Sequence, residues 1–449
     1  MALIKEQKYI CFMNICASMG FSLVAPLLPS MCKERNISNK TCSFLISIMA
    51  LSQAFTSIYF PKFVMKYGRQ KLLLLSLVIQ TLVTIFYGIM NYINKNFYFI
   101  LTGFICRIIH GIASCNINSI CFFILSMIYK DSEWKIATGY IELSSMVGLT
   151  IGPIVVSIFY DIGGYSLPYY ICALICLFGV YAFFQVPQVD ETLYRKEKVE
   201  KINNNNENIV ERKQKKDLLT LLNLPQMMLL TGCIIMKTNS IDFYIPTLVN
   251  HLNETWDVSI SIASLFFLSS IISNAMILQK IDRLIYIGNF PLISLGLFLT
   301  GLTCFIIAPI NFLPYSYWTI LTGIFIMGIN GCLIIVPSFI ELTEFSRVLY
   351  PERIEMQNYV RNFFFRFSFQ IADFISPIIG SFFYSHYSFE ASAYFTGFIT
   401  LFFWSIFSLY YKDQIKLFFT SKNLEGNINN KQSNIIPSTD KSEDILIEK

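Results

Sequence analysis

Apolar stretches of about 18 residues or more recur along this chain from one end to the other, and this recurrence restricts the fold more than any other feature. Lipid offers no partner to an unpaired peptide group, so each such stretch must be a helix. A helix rises ~1.5 Å per residue, so about 20 residues cross ~30 Å of hydrocarbon. Spans are predicted near 9–30, 42–65, 72–92, 97–128, 136–160, 165–186, 224–249, 258–279, 284–308, 315–340, 355–384 and 390–411. Composition agrees: of 449 residues 54% are hydrophobic and 14% charged, against about 25% charged in soluble proteins. A soluble enzyme is excluded on that ground. The net charge of +5 is small and its cations lie between apolar segments, which marks membrane flanks and no nucleic-acid surface. The 12 cysteines are scattered without a CxxC pair or Cys/His cluster, so neither a disulfide scaffold nor a metal site is expected. Cys32 and Cys42 flank one loop and are candidates for pairing.

The composition turns polar between Pro187 and Leu222, with a run at Asn203–Asn206 and cations at Lys213, Lys215 and Lys216. The expected organisation is an N-terminal six-helix bundle (1–186), a cytoplasmic linker (187–222), a C-terminal six-helix bundle (223–411) and a disordered cytoplasmic tail (412–449). The segment Met1 to Lys8 runs into the first span without a cleavage site, so a removable signal peptide is not expected. The two bundles are related. Ile151 to Tyr160 in span five recurs as Ile375 to Tyr384 in span eleven, with six of ten positions identical. Pro29 and Pro246 close spans one and seven at a similar offset. The fold class expected is therefore an all-α membrane protein of twelve transmembrane helices in two pseudo-symmetric bundles. Such repeats place a polar site at the interface of the halves.

Lysine and arginine set the orientation. With the N-terminus inside, the inner loops carry Lys66, Arg69, Lys71, Lys130, Lys135, the basic linker, Lys280, Arg283, Arg347 and Arg353. Outer loops near 161–165, 250–257, 310–314 and 385–389 carry no lysine or arginine. The three N-x-S/T acceptors, Asn36, Asn39 and Asn253, all fall in outer loops. Both termini are expected in the cytoplasm, in a vesicular, endomembrane or plasma-membrane location.

Charges inside apolar spans mark function, because an intramembrane ion is disfavoured by about 2.5–3.5 kcal/mol on insertion scales unless paired or wet. Span four carries Arg107 and His110, the latter either a proton carrier or a packed neutral ring. Span five carries Gly139, Gly148, Gly152 and Pro153 in the pattern G-x8-G-x3-GP. Ser144, Gly148 and Gly152 make a small-residue stripe for close helix approach, while Glu142 lies on another face. A structural pairing of Glu142 with Lys135 is the alternative. Span seven carries Lys237 and Asp242; span ten carries Asn330-Gly331 and, at its inner end, Glu341; span eleven carries Arg361, Arg366, Asp373 and Pro377. Glu341 and Arg361 are expected at the inner boundary. Arg366 and Asp373 are seven residues apart and share a helix face. The phenylalanines at 363, 364, 365 and 367 are expected to pack or face lipid. Gly68 and Arg69 fall in a tight basic turn after span two.

These motifs resemble the major facilitator superfamily over nearly all of residues 8–411. Gly68-Arg69-Gln70-Lys71 is similar to its inner-loop motif GxxxDRxGRK, Arg107-x-x-His110-Gly111 to its RxxQG motif, and Gly139 to Pro153 to its antiporter motif. Within it the chain resembles drug:proton antiporters, and most the vesicular amine and polyamine branch. Phe21-Ser22-Leu23 with Pro26 and Pro29, the placement of Glu142 before Pro153, Tyr160-x-x-Gly163-Gly164-x-x-Leu167-Pro168, Phe374-x-x-Pro377 and Phe389-Glu390-Ala391 carry that likeness. The chain departs from the pattern where Met65 replaces the motif's aspartate, Pro61 a glycine, Val156-Ser157 a glycine pair and His110 a glutamine, and span one has no acidic residue within the bilayer.

The resemblance implies alternating access, proton exchange and a small organic substrate. Proton-coupling candidates are Glu142, Asp373 and Asp242. Candidates for substrate contact or charge pairing are Arg107, His110, Asn330 and Arg366; those for gating and helix packing are Gly68, Arg69, Gly139, Gly148, Gly152, Pro153 and Pro377. The expected partners are a small-molecule substrate, the proton and the lipid bilayer, with no cofactor, no metal and no nucleic acid, for a monomer. Facilitated uptake of a neutral solute such as a sugar and a non-transporting receptor on the same fold are the alternatives. No nucleophile–base set is visible, so no enzyme is expected.

Overall fold

The structure, a computed structural model, describes residues 5–128, 134–186, 221, 224–309, 314–351 and 354–415. The first half holds α1 (Lys5–Glu34), α2 (Asn39–Tyr67), α3 (Arg69–Ile89), α4 (Asn96–Ile128), α5 (Trp134–Gly163) and α6 (Ser166–Phe184). The second holds α7 (Pro225–Asp242), the short α8 (Leu248–Trp256), α9 (Ile260–Leu278), the one-turn α10 (Ile281–Ile285), α11 (Asn289–Ile307), α12 (Tyr317–Leu349), α13 (Ile354–His386) and α14 (Phe389–Tyr410). Setting α8 and α10 aside leaves twelve spanning elements, at the places the hydropathy predicts. Ten of them are long and apolar enough to cross a bilayer by length and composition alone. The other two are α7 and α13, which carry Lys237 and Asp242, and Arg361, Arg366 and Asp373. The linker, Leu221 apart, and the tail beyond Ile415 lie outside the described residues.

Local chemistry sets the ends. Ser38, Ser259 and Ser388 accept the N–H of the residue three on and so cap α2, α9 and α14. Gly68 alone separates α2 from α3, at φ 77°, a conformation that glycine adopts without a Cβ clash. The tight turn expected there is present. Pro153 and Pro377 sit inside α5 and α13, and both are buried.

Packing repeats every six spans. In the first half α1 packs on α5, α2 on α4, α3 on α6 and α3 on α4; in the second, α7 packs on α13, α9 on α12, α11 on α14 and α11 on α12. The contacts between halves obey the same rule, because α2 against α13 is the counterpart of α9 against α5. The predicted small-residue stripe explains one close pair. A Cβ on Gly148 would lie 2.5 Å from the carbonyl of Ile15, and one on Gly152 would lie 2.8 Å from the amide of Leu23, so α5 meets the backbone of α1. In the second half Gly380 brings α13 to Phe243 at the end of α7.

Each half has an apolar core toward either end of the bundle, and the second half adds a smaller cluster around Ile281, Leu292 and Leu333. Near one end of the bundle lie the cluster around Leu27, Leu45 and Tyr169 and that around Leu248, Ile307 and Phe389. Near the other end lie those around Leu73, Ile117 and Leu125 and around Leu230, Leu297 and Phe364. Along α1, α3, α4, α7, α11, α12 and α13 the polar side chains fall between the two sets, at mid-depth.

Candidate functional site

The polar layer of the first half is only partly satisfied by its own side chains: Gln80 Oε1, Tyr87 Oη, His110 Nδ1 and Tyr169 Oη have no hydrogen-bond partner among the described residues. Arg107 of α4 is 1% exposed. Its Nε donates to Leu45 O at 3.2 Å and its Nη2 to Ile46 O at 2.9 Å, with Nη1 at 3.1 Å from the Met49 sulfur. The arginine thus binds α4 to the backbone of α2. His110 is fully buried, and Gln80 of α3 donates to its Nε2 at 2.7 Å. Its ring lies 5.8 Å from that of Tyr87, which in turn lies 5.5 Å from that of Tyr169. These surroundings suit either role the sequence leaves open for His110, a packed neutral ring or, through its unpartnered Nδ1, a proton carrier. Asn14 of α1 reaches Ser144 Oγ at 2.7 Å, Ser145 Oγ at 2.9 Å and Ile141 O at 3.1 Å, on either side of Glu142. The side chains of Glu142 and Lys135 and the surroundings of Gly139 lie outside the described residues.

The second half concentrates its charges. The carboxyls of Asp242 at the end of α7 and Asp373 in α13 lie within hydrogen-bonding range of each other, with Lys237 close to both. Asp242 is buried while Asp373 and Lys237 are only partly so. Ser376 Oγ donates to Asn239 Oδ1 in the same seam between α7 and α13. Gly331 of α12 makes room for the lysine: a Cβ there would come within 2.7 Å of Lys237 Cε. That same point lies 3.4 Å from Asn274 Nδ2 of α9. Four helices therefore converge on one ammonium and two carboxyls. Asn330, next to Gly331, turns the other way and donates to Thr303 of α11 at 3.1 Å.

Arg366 lies about two turns before Asp373 in α13, on the same helix face. When Pro153 is set on Pro377, Arg366 falls on Glu142. The two pseudo-equivalent positions thus carry opposite charges. Arg361 is 2% exposed and lies over the Phe339 ring at 5.2 Å, deeper than the boundary position expected for it. Glu341 accepts from Asn289 at 2.6 Å. Arg69 covers the Phe123 ring at 3.5 Å, bracing the turn after α2 against α4. Lys237, Gly331 and Asn274 belong to the charged site without a role assigned from the sequence; for the first two the signal was present, a lysine and a mid-helix glycine in apolar spans. Among the described residues no cluster of three His, Cys, Asp or Glu is placed to hold a metal.

The described contacts between halves gather at the end bearing Asn36, Asn39 and Asn253. There Lys33 pairs with Glu254 at 2.9 Å, and Tyr384 also donates to that carboxylate at 2.9 Å. Asn250 donates to Pro29 O at 3.3 Å, Ser261 to Asp161 at 2.7 Å and Ser264 to Pro153 O at 3.1 Å. Nearer mid-depth, Ser57 of α2 lies 3.5 Å from Gln370 of α13. The halves are clasped at that end.

The comparisons with known proteins agree with this architecture. The mouse MFS-type transporter SLC18B1 is 23% identical over 385 residues, which cover 82% of this chain and 78% of the relative. Multidrug resistance protein 2 of Bacillus subtilis (strain 168) is 29% identical over 154 residues, 33% of this chain and 37% of that protein. A crystal structure of the peptide transporter POT with sulfate superposes with a TM-score of 0.67 at 12% identity, covering 92% of this chain and 95% of that one; at that identity the likeness shows the fold. The family model described as Major Facilitator Superfamily matches residues 10–346. Twelve spans in two related bundles, a polar layer at mid-depth and this match together show that the chain belongs to the major facilitator superfamily and is a membrane transporter of that family.

Proposed function

We propose that the protein is a proton-coupled antiporter that moves a small organic solute, an amine, polyamine or drug-like cation, out of the cytoplasm by alternating access. The observation that carries this reading is the pair of carboxyls, Asp242 and Asp373, within hydrogen-bonding range of each other and beside Lys237 at mid-depth. Two carboxyls so close do not both ionise readily, so a proton shared between them and a cation are alternative occupants of one site. Proton binding from the acidic side would release the cation, and cation binding from the other side would release the proton. Glu142 is the second coupling candidate, in the pseudo-equivalent span. The clasped end is read as the extracytosolic one, which puts the termini in the cytoplasm, with the protein working as a monomer. The relative named a multidrug resistance protein supports an organic solute.

In proteoliposomes, an imposed pH gradient should drive uptake of a labelled amine or polyamine, and Asp373→Asn should abolish that uptake while leaving a well-folded protein. Glu142→Gln should do the same; unchanged gradient-driven flux would remove Glu142 from the mechanism. A second reading is facilitated diffusion of a neutral solute, and Lys237 favours it, since an ammonium can neutralise one carboxylate structurally. Flux of a sugar that ignores the pH gradient would establish it.

A further inference from the structure

The first half grips the second through two lysines of one hairpin. Lys33 ends α1 and pairs with Glu254, while Lys40 opens α2 and sits 6.0 Å from the Phe382 ring of α13. The turn between them is tight. Ile37 donates its N–H to Cys32 O at 2.8 Å, Cys42 donates to Ser38 O at 3.0 Å, and Asn36 adopts φ 53°. This folding brings the thiol of Cys42 against that of Cys32, both in one apolar cluster and each almost fully buried. Both are thiols in this structure.

We propose that Cys32 and Cys42 are a disulfide site that staples this hairpin and holds Lys33 and Lys40 in position to clasp the second half. The proposal rests on the orientation read above, which places the hairpin outside the cytosol, where disulfides form and persist. The oxidant is a protein disulfide of that compartment. One cysteine thiolate attacks it, giving a mixed disulfide and one released thiol. The second thiolate then displaces the other sulfur, so the S–S bond passes to Cys32 and Cys42 and the oxidant leaves as a dithiol. Exchange occurs as the hairpin emerges, before packing covers the sulfurs.

The test uses full-length protein made in secretory-pathway membranes, alkylated under denaturing conditions without reductant. Trypsin cuts after Lys33, Arg35 and Lys40, so the two cysteines fall on separate peptides. The expected result is a joined peptide pair, two hydrogens lighter than the sum of its parts, that reductant splits. Cys32→Ser should abolish the pair and leave Cys42 alkylated. Reductant should also lower the thermal midpoint of the purified protein to that of the Cys32→Ser/Cys42→Ser variant. Alkylation of both cysteines without reductant overturns the proposal, provided a C-terminal tag is reached by antibody only after permeabilisation. A tag reached on intact cells overturns the orientation itself, and with it the oxidising surroundings the bridge requires.

Discussion

Arg107 ties α4 to the backbone of α2 through the carbonyls of Leu45 and Ile46. An arginine inside an apolar span must find acceptors, which makes Arg107 a functional candidate from the sequence alone. Its acceptors are main-chain carbonyls of α2, which no pattern in the sequence could identify, because they belong to every residue alike. Arg107→Ala should therefore lower stability by about 1–3 kcal/mol through a lost buried hydrogen-bond set. Transport per folded molecule should persist, measured as flux normalised to monodisperse protein. The glycines of span five were legible as a packing stripe, because only small residues let two backbones meet. Gly152→Leu should destabilise the α1–α5 pair by about 1–3 kcal/mol through overpacking, read as a lower midpoint in detergent. Gly331 has a different use, clearance for Lys237. Gly331→Ala should leave folding nearly intact yet shift the pH dependence of transport.

At the scale of elements, hydropathy placed all twelve spans, although α7 and α13 carry enough charge to fall short of the length and composition that mark the other ten as membrane-crossing. Helices α7 and α13 are too polar to stand alone in lipid, so they have to face each other or an interior path. The short α8 was not foreseen. Its apolar face, with Leu248 and Leu252, packs inward, while its end supplies the clasp. His251 stacks on Phe389 at 4.2 Å and hydrogen-bonds Tyr315 at 2.7 Å. Burial pushes its imidazole below the ordinary value of 6.5, against the pull of Glu390 and Glu254. For Glu254 burial opposes the charge, yet hydrogen bonds from Lys33 and Tyr384 outweigh it and hold the carboxyl below its ordinary 4.5. Both groups bind fewer protons in the closed clasp than in an opened one, so the clasp weakens as pH falls. The histidine's contribution is complete above its ordinary value and is lost below it; that of Glu254 is lost at lower pH still. Hydrogen exchange of the α8 amides, corrected for intrinsic rates, should quicken from about pH 7 to about pH 5, and His251→Gln should remove that change.

At the scale of the whole molecule, the six-span repeat of the packing makes the two interfaces, α2 with α13 and α5 with α9, equivalent. Under the proposed alternating access, motion of one bundle against the other would exchange which end is clasped. A disulfide engineered between Lys33→Cys and Glu254→Cys should lock the clasped end and stop transport, and reductant should restore it. Hydropathy and the duplicated Ile-x-Pro-Ile segment determined the membrane fold, the span count and the kinship of the halves, since each depends on local transfer energies or on chain identity. Where each charge points was decided only by tertiary packing. Residues far apart in the chain, Asp242 and Asp373 above all, become neighbours because helices cross. The closing of one end likewise depends on contacts between halves that share no sequence pattern.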